Sequence, residues 1–484
     1  MSPILPRNPR METWRVPVLL VTKRIAVLLG VAAVVLGVAL PFGCVIRLGT
    51  SESSSGGDSG AASEPSAGSE SGSGASTSSA PPLPEPAIWH VDLPVLTPDQ
   101  QARKDEVDHY LAQRYFAQGW QIVETYQTYL GDIIDWLDPA SVEGSQEEPP
   151  PHPSPDELTP AEGTALAWTE VDLFPELRVE GAIPVVRPSF AFYVSGLTGA
   201  TSLEEFLAKY VVPGMPTGPQ RLYAGKGSLT PNLGAMAWIN AFAGFIEPQT
   251  MSLLEMNVHC NKDGVPWEQV GIAASRDWTT NAILSKNFGD WLLRLQVEFL
   301  TQGTGPGALG DNKGGWVGQY NGFVPVPGPY APGYIILGTS IIGGPQVEAL
   351  YQIQLWKGNW WVGWNGTWLG YFPGHLFTLM ASQACEASWY GEVYDPKATA
   401  TTWTWTGMGS EQFASAGFGY ASYFRNPGYV DTSGTFSWAL NVWNFKQINP
   451  ECYSTSELFF GMSPWNLHFY LGGEGGDAAS GKCP

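Results

Sequence analysis

Five stretches of different hydrophobic and polar texture follow one another along the chain. Residues 25–46 are 22 consecutive uncharged, mostly apolar positions, and ~20 such residues suffice to span a bilayer as a helix. Arg7, Arg10, Arg15, Lys23 and Arg24 precede them. Positive charge holds that short side inside, so the bulk of the chain is expected outside. Residues 50–86 are almost wholly Ser, Gly, Ala, Glu and Pro; they cannot bury a core and read as a flexible tether. Residues 97–120 set Val107, Tyr110, Leu111 and Phe116 at helical spacing behind a Thr97-Pro98-Asp99 start, which predicts a helix. A second linker, residues 147–160, is rich in Pro and acid and offers a place for proteolytic nicking. From about Leu222 onward come short alternating runs such as Tyr351-Gln352-Ile353-Gln354-Leu355-Trp356, bounded by Gly-Asn or Gly-Gly. Many short strands with frequent turn signals predict a sandwich or barrel.

Composition sharpens this picture. Only 14% of the 484 residues are charged, against ~25% in ordinary globular chains, while 57 Gly, 40 Pro and 21 Trp favour turns and strands. The net charge of −21 repels nucleic acid and anionic lipid, which makes both poor partners. Of five cysteines, Cys44 ends the apolar run and Cys260, Cys385, Cys452 and Cys483 lie in the C-terminal half. Four cysteines in an exported domain suggest two disulfides; with no CxxC pair or clustered histidines, a metal site is not expected. Leu40-Pro41-Phe42-Gly43-Cys44 is similar to a lipobox with its Leu one place early. Lipidation of Cys44 and an uncleaved signal anchor therefore both stay open, the anchor being preferred. No Ser/His/Asp arrangement and no nucleotide-binding motif can be assembled, and no cofactor is expected.

Several segments carry a family resemblance. These are Gly358-Asn359-Trp360-Trp361-Val362, Trp368-Leu369-Gly370-Tyr371-Phe372-Pro373, Leu376-Phe377, Met408-Gly409-Ser410 with Phe413, and Gly417-Phe418-Gly419-Tyr420-Ala421-Ser422-Tyr423. Upstream, Gly131-Asp132-Ile133-Ile134-Asp135-Trp136, Val185-Val186-Arg187-Pro188 and Gly199-Ala200-Thr201-Ser202-Leu203-Glu204 look like parts of a pro-segment. Together they resemble the neprosin family of glutamic, proline-directed endopeptidases, in its bacterial form. The resemblance implies a mainly β chain whose C-terminal domain, residues 226–484, is an antiparallel β-sandwich. A smaller mixed pro-segment (91–225), a disordered tether (48–90) and an anchor or lipoprotein signal (1–47) would precede it. Cys452 and Cys483 match the family's C-terminal pair, which leaves Cys260 with Cys385. Closing the former loop is worth ~3–4 kcal/mol in the chain-entropy model.

The same resemblance implies two facing glutamates, one acting as general base on water and the other as the acid that protonates the leaving nitrogen. Trp389-Tyr390-Gly391-Glu392-Val393 matches one of the family's two strands and nominates Glu392. The other match, Trp267-Glu268-Gln269-Val270-Gly271, puts Gln269 where the family has glutamate. Three readings stay open. A Gln269–Glu392 pair would be similar to the dyad of the eqolisin peptidases, with the amide stabilising the oxyanion. A bulge would instead bring Glu268 to the face that Gln269 occupies. In the third reading peptidase activity is lost. Trp360, Trp361 and Trp364 are candidates for a proline-binding groove, although alternating aromatics in a sandwich more often serve core or cross-strand packing. Asn365-Gly366-Thr367 fits a glycosylation sequon and, better, a hairpin turn. The expected function is an exported, membrane-anchored or secreted glutamic endopeptidase zymogen, acting on proline-containing peptides at acidic pH. The alternative is an inactive sandwich that binds proline-rich or glycan polymers.

Overall fold

The computed structural model describes residues 95–151, 159–187, 190–196, 199–210, 221–262, 265–277, 291–301, 314–316, 322–395, 405–445 and 452–476. The predicted helix is α1 (Pro98–Gln118), opened by a capping box between Thr97 and Gln100 and closed by Gly119 at φ 70°, a left-handed conformation that glycine takes without strain. Three short helices follow, α2 (Glu170–Leu173), α3 (Ala191–Ser195) and α4 (Leu203–Tyr210). Val107 and Leu111 of α1 pack with Phe190, Tyr193, Leu203 and Phe206. Strands β1 (Ile122–Gln127), β2 (Ile133–Leu137), β3 (Thr164–Leu166) and β4 (Ile183–Arg187) complete this N-terminal region. Of these, β1, β2 and β4 form a three-stranded antiparallel sheet. Its buried charge is Asp135, which accepts from Arg187 at 2.6 and 3.0 Å, Thr125 at 2.8 Å and Tyr115 at 3.1 Å.

Two large sheets make up the rest. One has seven strands: β5 (Arg221–Ser228), β7 (Met251–Lys262), β8 (Val265–Asp277), β9 (Arg294–Leu300), β10 (Gly314–Trp316), β15 (Glu386–Tyr394) and β18 (Trp443–Asn444). They run in the order β10-β9-β8-β7-β15-β5-β18. The other has eleven. It comprises β3 with β6 (Asn232–Asn240), β11 (Val324–Pro325), β12 (Gln346–Trp356), β13 (Asn359–Trp364), β14 (Thr367–Pro373), β16 (Ser422–Asp431), β17 (Phe436–Trp438), β19 (Ser454–Thr455), β20 (Phe459–Phe460) and β21 (Leu467–Gly472). One core cluster takes residues from both sheets, among them Leu254, Met256, Val270, Ile272, Val297 and Trp389 from the first and Ile239, Tyr351, Ile353, Trp360, Val362 and Phe469 from the second. The chain is thus mainly β and antiparallel, with β3–β12 a parallel pair among the described residues.

Four expectations change or gain detail. The break expected between residues 225 and 226 falls inside β5, which pairs with β15 along its length; Leu222 and Ala224 already point into the core. The N-terminal region is also not a separate layer, because β3 joins the eleven-stranded sheet. There Glu348 of β12 accepts from Ala161 N at 2.8 Å and from Arg425 at 2.6 Å. Trp360, Trp361 and Trp364 are 0%, 1% and 0% exposed: they fill the interior and line no groove. Asn365 and Gly366, at φ 50° and 76°, make the two-residue turn from β13 to β14, and Asn365 Nδ2 donates to Ala167 O at 2.9 Å.

Cys260 and Cys385 form a disulfide. Cys452 is also disulfide-bonded, while Cys483, Cys44, the segment 1–47 and the tether lie outside the described residues. Among the described residues no helix is long and apolar enough to cross a membrane.

Replacing Cys260 and Cys385 together by Ser should lower unfolding free energy by about 2–5 kcal/mol, read from urea midpoints under non-reducing conditions. A second expectation concerns Glu170. Burial pushes its carboxyl up to about 7, and Asp132 adds to this against hydrogen bonds from Thr128 and Leu130 N. A carboxyl held above its ordinary range stabilises the fold while protonated, and that contribution is lost as pH rises from 4.5 to about 7. Glu170→Gln should therefore flatten the fall in stability across this window, by up to about 3 kcal/mol at ~1.4 kcal/mol per pKa unit. Urea unfolding at the two ends of the window measures it.

Candidate active site

Strands β9, β8, β7 and β15 lie side by side, and their residues alternate between two faces. Leu254, Met256, Val258 and Cys260 of β7, Val270, Ile272 and Ala274 of β8, and Leu295, Val297 and Phe299 of β9 point into the main core. The alternate positions form an outer face of a different kind. It carries Glu255, Asn257 and His259 from β7, Gln269 and Gly271 from β8, Gln296 and Glu298 from β9, and Glu386, Tyr390 and Glu392 from β15. The side chains here are nonetheless buried, Glu255 being 1% exposed, Glu298 3%, Glu392 4%, Tyr390 5% and Gln269 9%.

Glu268 is in register with Cys260 and so faces the core side. Its carboxylate accepts from Thr378 N at 2.8 Å, Thr378 Oγ1 at 2.5 Å and Met380 N at 2.7 Å, which makes it the anchor of that loop. The register does shift nearby, passing from Glu268 to Pro266 opposite Cys260 and Asn261. That irregularity lies beyond Glu268 and leaves it on the inner face.

Gln269 and Glu392 do share the outer face, yet the strands keep them apart. Gln269 pairs with His259 and Glu392 with Leu253, six positions along β7, or about 20 Å at the strand rise. Glu392 is instead ion-paired with Arg221 of β5. The dyad expected from the motifs is therefore not assembled.

The carboxylates that do converge are Glu255 and Glu298. Gln269 Nε2 donates to Glu298 Oε1 and, at 3.4 Å, to Glu255 Oε1. Between them lies Gly271, in register with Asn257 and Glu298. A Cβ there would stand 2.6 Å from Glu255 Oε1 and 3.1 Å from Glu298 Oε1, so the missing side chain is what lets both acids lean over one point.

Hydrogen bonds extend the pair into a chain. Asn257 Nδ2 donates to Glu255 Oε1 at 3.2 Å and to the Tyr390 hydroxyl at 3.0 Å. Asn257 Oδ1 meets His259 Nδ1 at 3.2 Å, and His259 Nε2 lies 3.3 Å from Glu386. Burial holds the Tyr390 hydroxyl well above its ordinary range, and Glu255 and Glu298 add to this. Next to the pair, Tyr390, Tyr223 and Phe445 form an aromatic cluster with ring centroids 5.1–6.0 Å apart.

Motif matching missed Glu255 and Glu298 because neither lies in a quoted segment. Their signal was alternation: Glu255-Met256-Asn257-Val258-His259 and Arg294-Leu295-Gln296-Val297-Glu298-Phe299 each place polar residues at every second position.

Residues 285–474 match the family model named Neprosin, so the resemblance read from the motifs holds on this stretch. The match takes in β9 with Glu298 and β15 with Tyr390 and Glu392. It leaves out β7 and β8, which carry Glu255 and Gln269, as well as the N-terminal region.

Gly271→Ala tests the convergence. Its methyl would meet both glutamates, 2.9 Å from Glu298 Cγ at the nearest carbon. It should cost about 1–3 kcal/mol by overpacking, read from urea unfolding, and a structure of the variant should show the two carboxylates driven apart.

Proposed function

We infer that this neprosin-like chain is a glutamic endopeptidase in which Glu255 and Glu298 are the working carboxylates. The observation that carries this is their convergence on the Gln269 amide above Gly271. Two carboxyls so close do not both ionise cheaply, and such a pair shares a proton at acidic pH. The ionised member takes a proton from water as it attacks the peptide carbonyl, and the protonated member delivers one to the departing nitrogen. The Gln269 amide and the Tyr390 hydroxyl are donors suited to the charge that grows on the carbonyl oxygen. Raising the pH removes the shared proton and with it the acid, so activity is expected to fall toward neutrality.

Proline fits the neighbouring surface. Aromatic faces suit pyrrolidine rings, and Tyr223, Tyr390 and Phe445 cluster beside the carboxylates. The substrate class is accordingly a proline-containing peptide or protein. The N-terminal region supports a zymogen. Its Asp132 holds Arg294 at 2.7 and 2.9 Å, on the same strand and face as Glu298. Cleavage in the linker 147–160 would release part of that region. The Cys260–Cys385 disulfide is compatible with an extracellular protein. Attachment to the outer face of a membrane through residues 1–47, by a helix or by lipid on Cys44, is part of the same proposal.

Turnover of a proline-containing peptide by the full chain, incubated across acidic pH, is the test. Glu255→Gln and Glu298→Gln should each reduce kcat by about 10²–10⁴-fold. A parent chain silent at every pH sinks the enzyme reading and favours the polymer binder. Full activity in Glu255→Gln, with loss confined to Glu392→Gln, would return the catalytic role to Glu392.

A further inference from the structure

Arg221 is a buried cation with one edge of its guanidinium, Nε and Nη2, unused. It is 8% exposed and opens β5 in register with Tyr394, on the face that carries Glu255 and Glu298. Its Nη1 donates to Glu392, and its guanidinium lies over the Tyr394 ring, 5.2 Å from the centroid. Its Nε and Nη2 are buried and have no hydrogen-bond partner among the described residues. Those two N–H groups form the side-on edge of the guanidinium, where two parallel donors match the two oxygens of a carboxylate. Leaving them unanswered in a buried site is unfavourable, so the edge is shaped for an acceptor that arrives from elsewhere.

Register fixes where that acceptor would sit. The Arg221–Tyr394 row is four strand positions from the row that pairs Tyr390 with Glu255, about 13 Å at the strand rise. The arginine side chain leans back one row, to Glu392. Tyr223, on the same face and in register with Glu392, stands between the two rows, and its ring meets that of Tyr390 at 5.7 Å, which links the arginine to the neighbourhood of the paired acids. An extended peptide advances about 3.4 Å per residue, so the free edge is reached two or three residues from the bond being cut. Glu392 already balances one charge, which favours a singly charged carboxylate over a doubly charged phosphate.

We propose that Arg221 forms a subsite for a substrate carboxylate, held side-on by Nε and Nη2, two or three residues from the cleaved bond. This rests on the peptidase reading above and narrows its substrates to proline-containing peptides with a carboxylate near the cut. The carboxylate belongs either to an Asp or Glu side chain or to the end of the peptide.

Three peptides of one proline-containing sequence separate these sources. One has Gln at the tested positions and an amidated end, the second has Glu there, and the third has Gln with a free end. Binding is measured by calorimetry at acidic pH on the full chain carrying Glu298→Gln, so that nothing is cut, and kcat/KM is measured on the parent. One carboxylate peptide should bind about 10-fold or more tighter than the neutral one, and which one does so names the source. Arg221→Gln should abolish the preference. Arg221→Lys keeps the charge against Glu392 without the two-pronged edge, and should lose most of the preference even if the Gln variant fails to fold. Equal affinity for all three peptides, or a preference that survives in a folded Arg221→Gln protein, overturns the proposal. Discriminating binding with no turnover by the parent leaves the subsite standing and removes the peptidase reading. Equal turnover of all three does the reverse.

Discussion

The seven-stranded sheet is buried on both faces, and that double burial governs the chemistry of everything on it. One face can be hydrocarbon, and is. The other carries carboxylates, amides and an imidazole, none of which can be buried without a partner unless several kcal/mol is lost. Each acid has accordingly been matched. Glu392 has Arg221, and Glu386 has His259 and, at 2.5 Å, Asn261. Glu255 and Glu298 share the amide of Gln269. Asn257 also donates to Glu255, and it is at this meeting of two acids that the proposed chemistry is placed.

The surrounding structure holds this arrangement rigid. The Cys260–Cys385 bond ties the end of β7 to the residue before β15, the strands that bring Glu255 and Tyr390 into register. Glu268, facing the other way, fixes the loop at Thr378 and Met380, so adjacent residues of one strand serve structure and site by turns. The N-terminal region is bound in by strand pairing through β3, by the ion pair of Asp132 with Arg294, and by hydrogen bonds from Ala161 and Thr164 to Glu348. Its removal would therefore break a parallel ladder and expose buried charge, a larger change than the lifting of a loosely docked cover.

Glu392 and Gln269 do not meet as their motifs imply. Both lie on the outer face, as expected of dyad members, yet six positions of β7 separate them. A motif records which residues occur near one another along a strand. It is silent on the offset between strands, and an offset of two residues moves a carboxyl by about 7 Å. The tryptophans illustrate a second limit. Aromatic residues on alternating strands read alike whether they face a groove or a core, and only tertiary packing decides that all three are interior, Trp360 and Trp364 in the main core and Trp361 against Val326, Trp368 and Tyr371.

Much was nonetheless legible in the chain itself. The capped helix behind Thr97, the Asn365-Gly366 turn and the predominance of short antiparallel strands all follow from local chemistry or from residue type, because each is decided by neighbours in sequence, while the Cys260–Cys385 pairing followed from the family resemblance that matched Cys452 with Cys483. The alternation in β7 and β9 likewise determined that Glu255 and Glu298 share a face with polar residues. Tertiary structure alone decided that these two acids meet. They arrive on strands separated by β8, and their meeting depends on the register of two ladders and on the absence of a side chain at Gly271, a coincidence in space that no stretch of the sequence records.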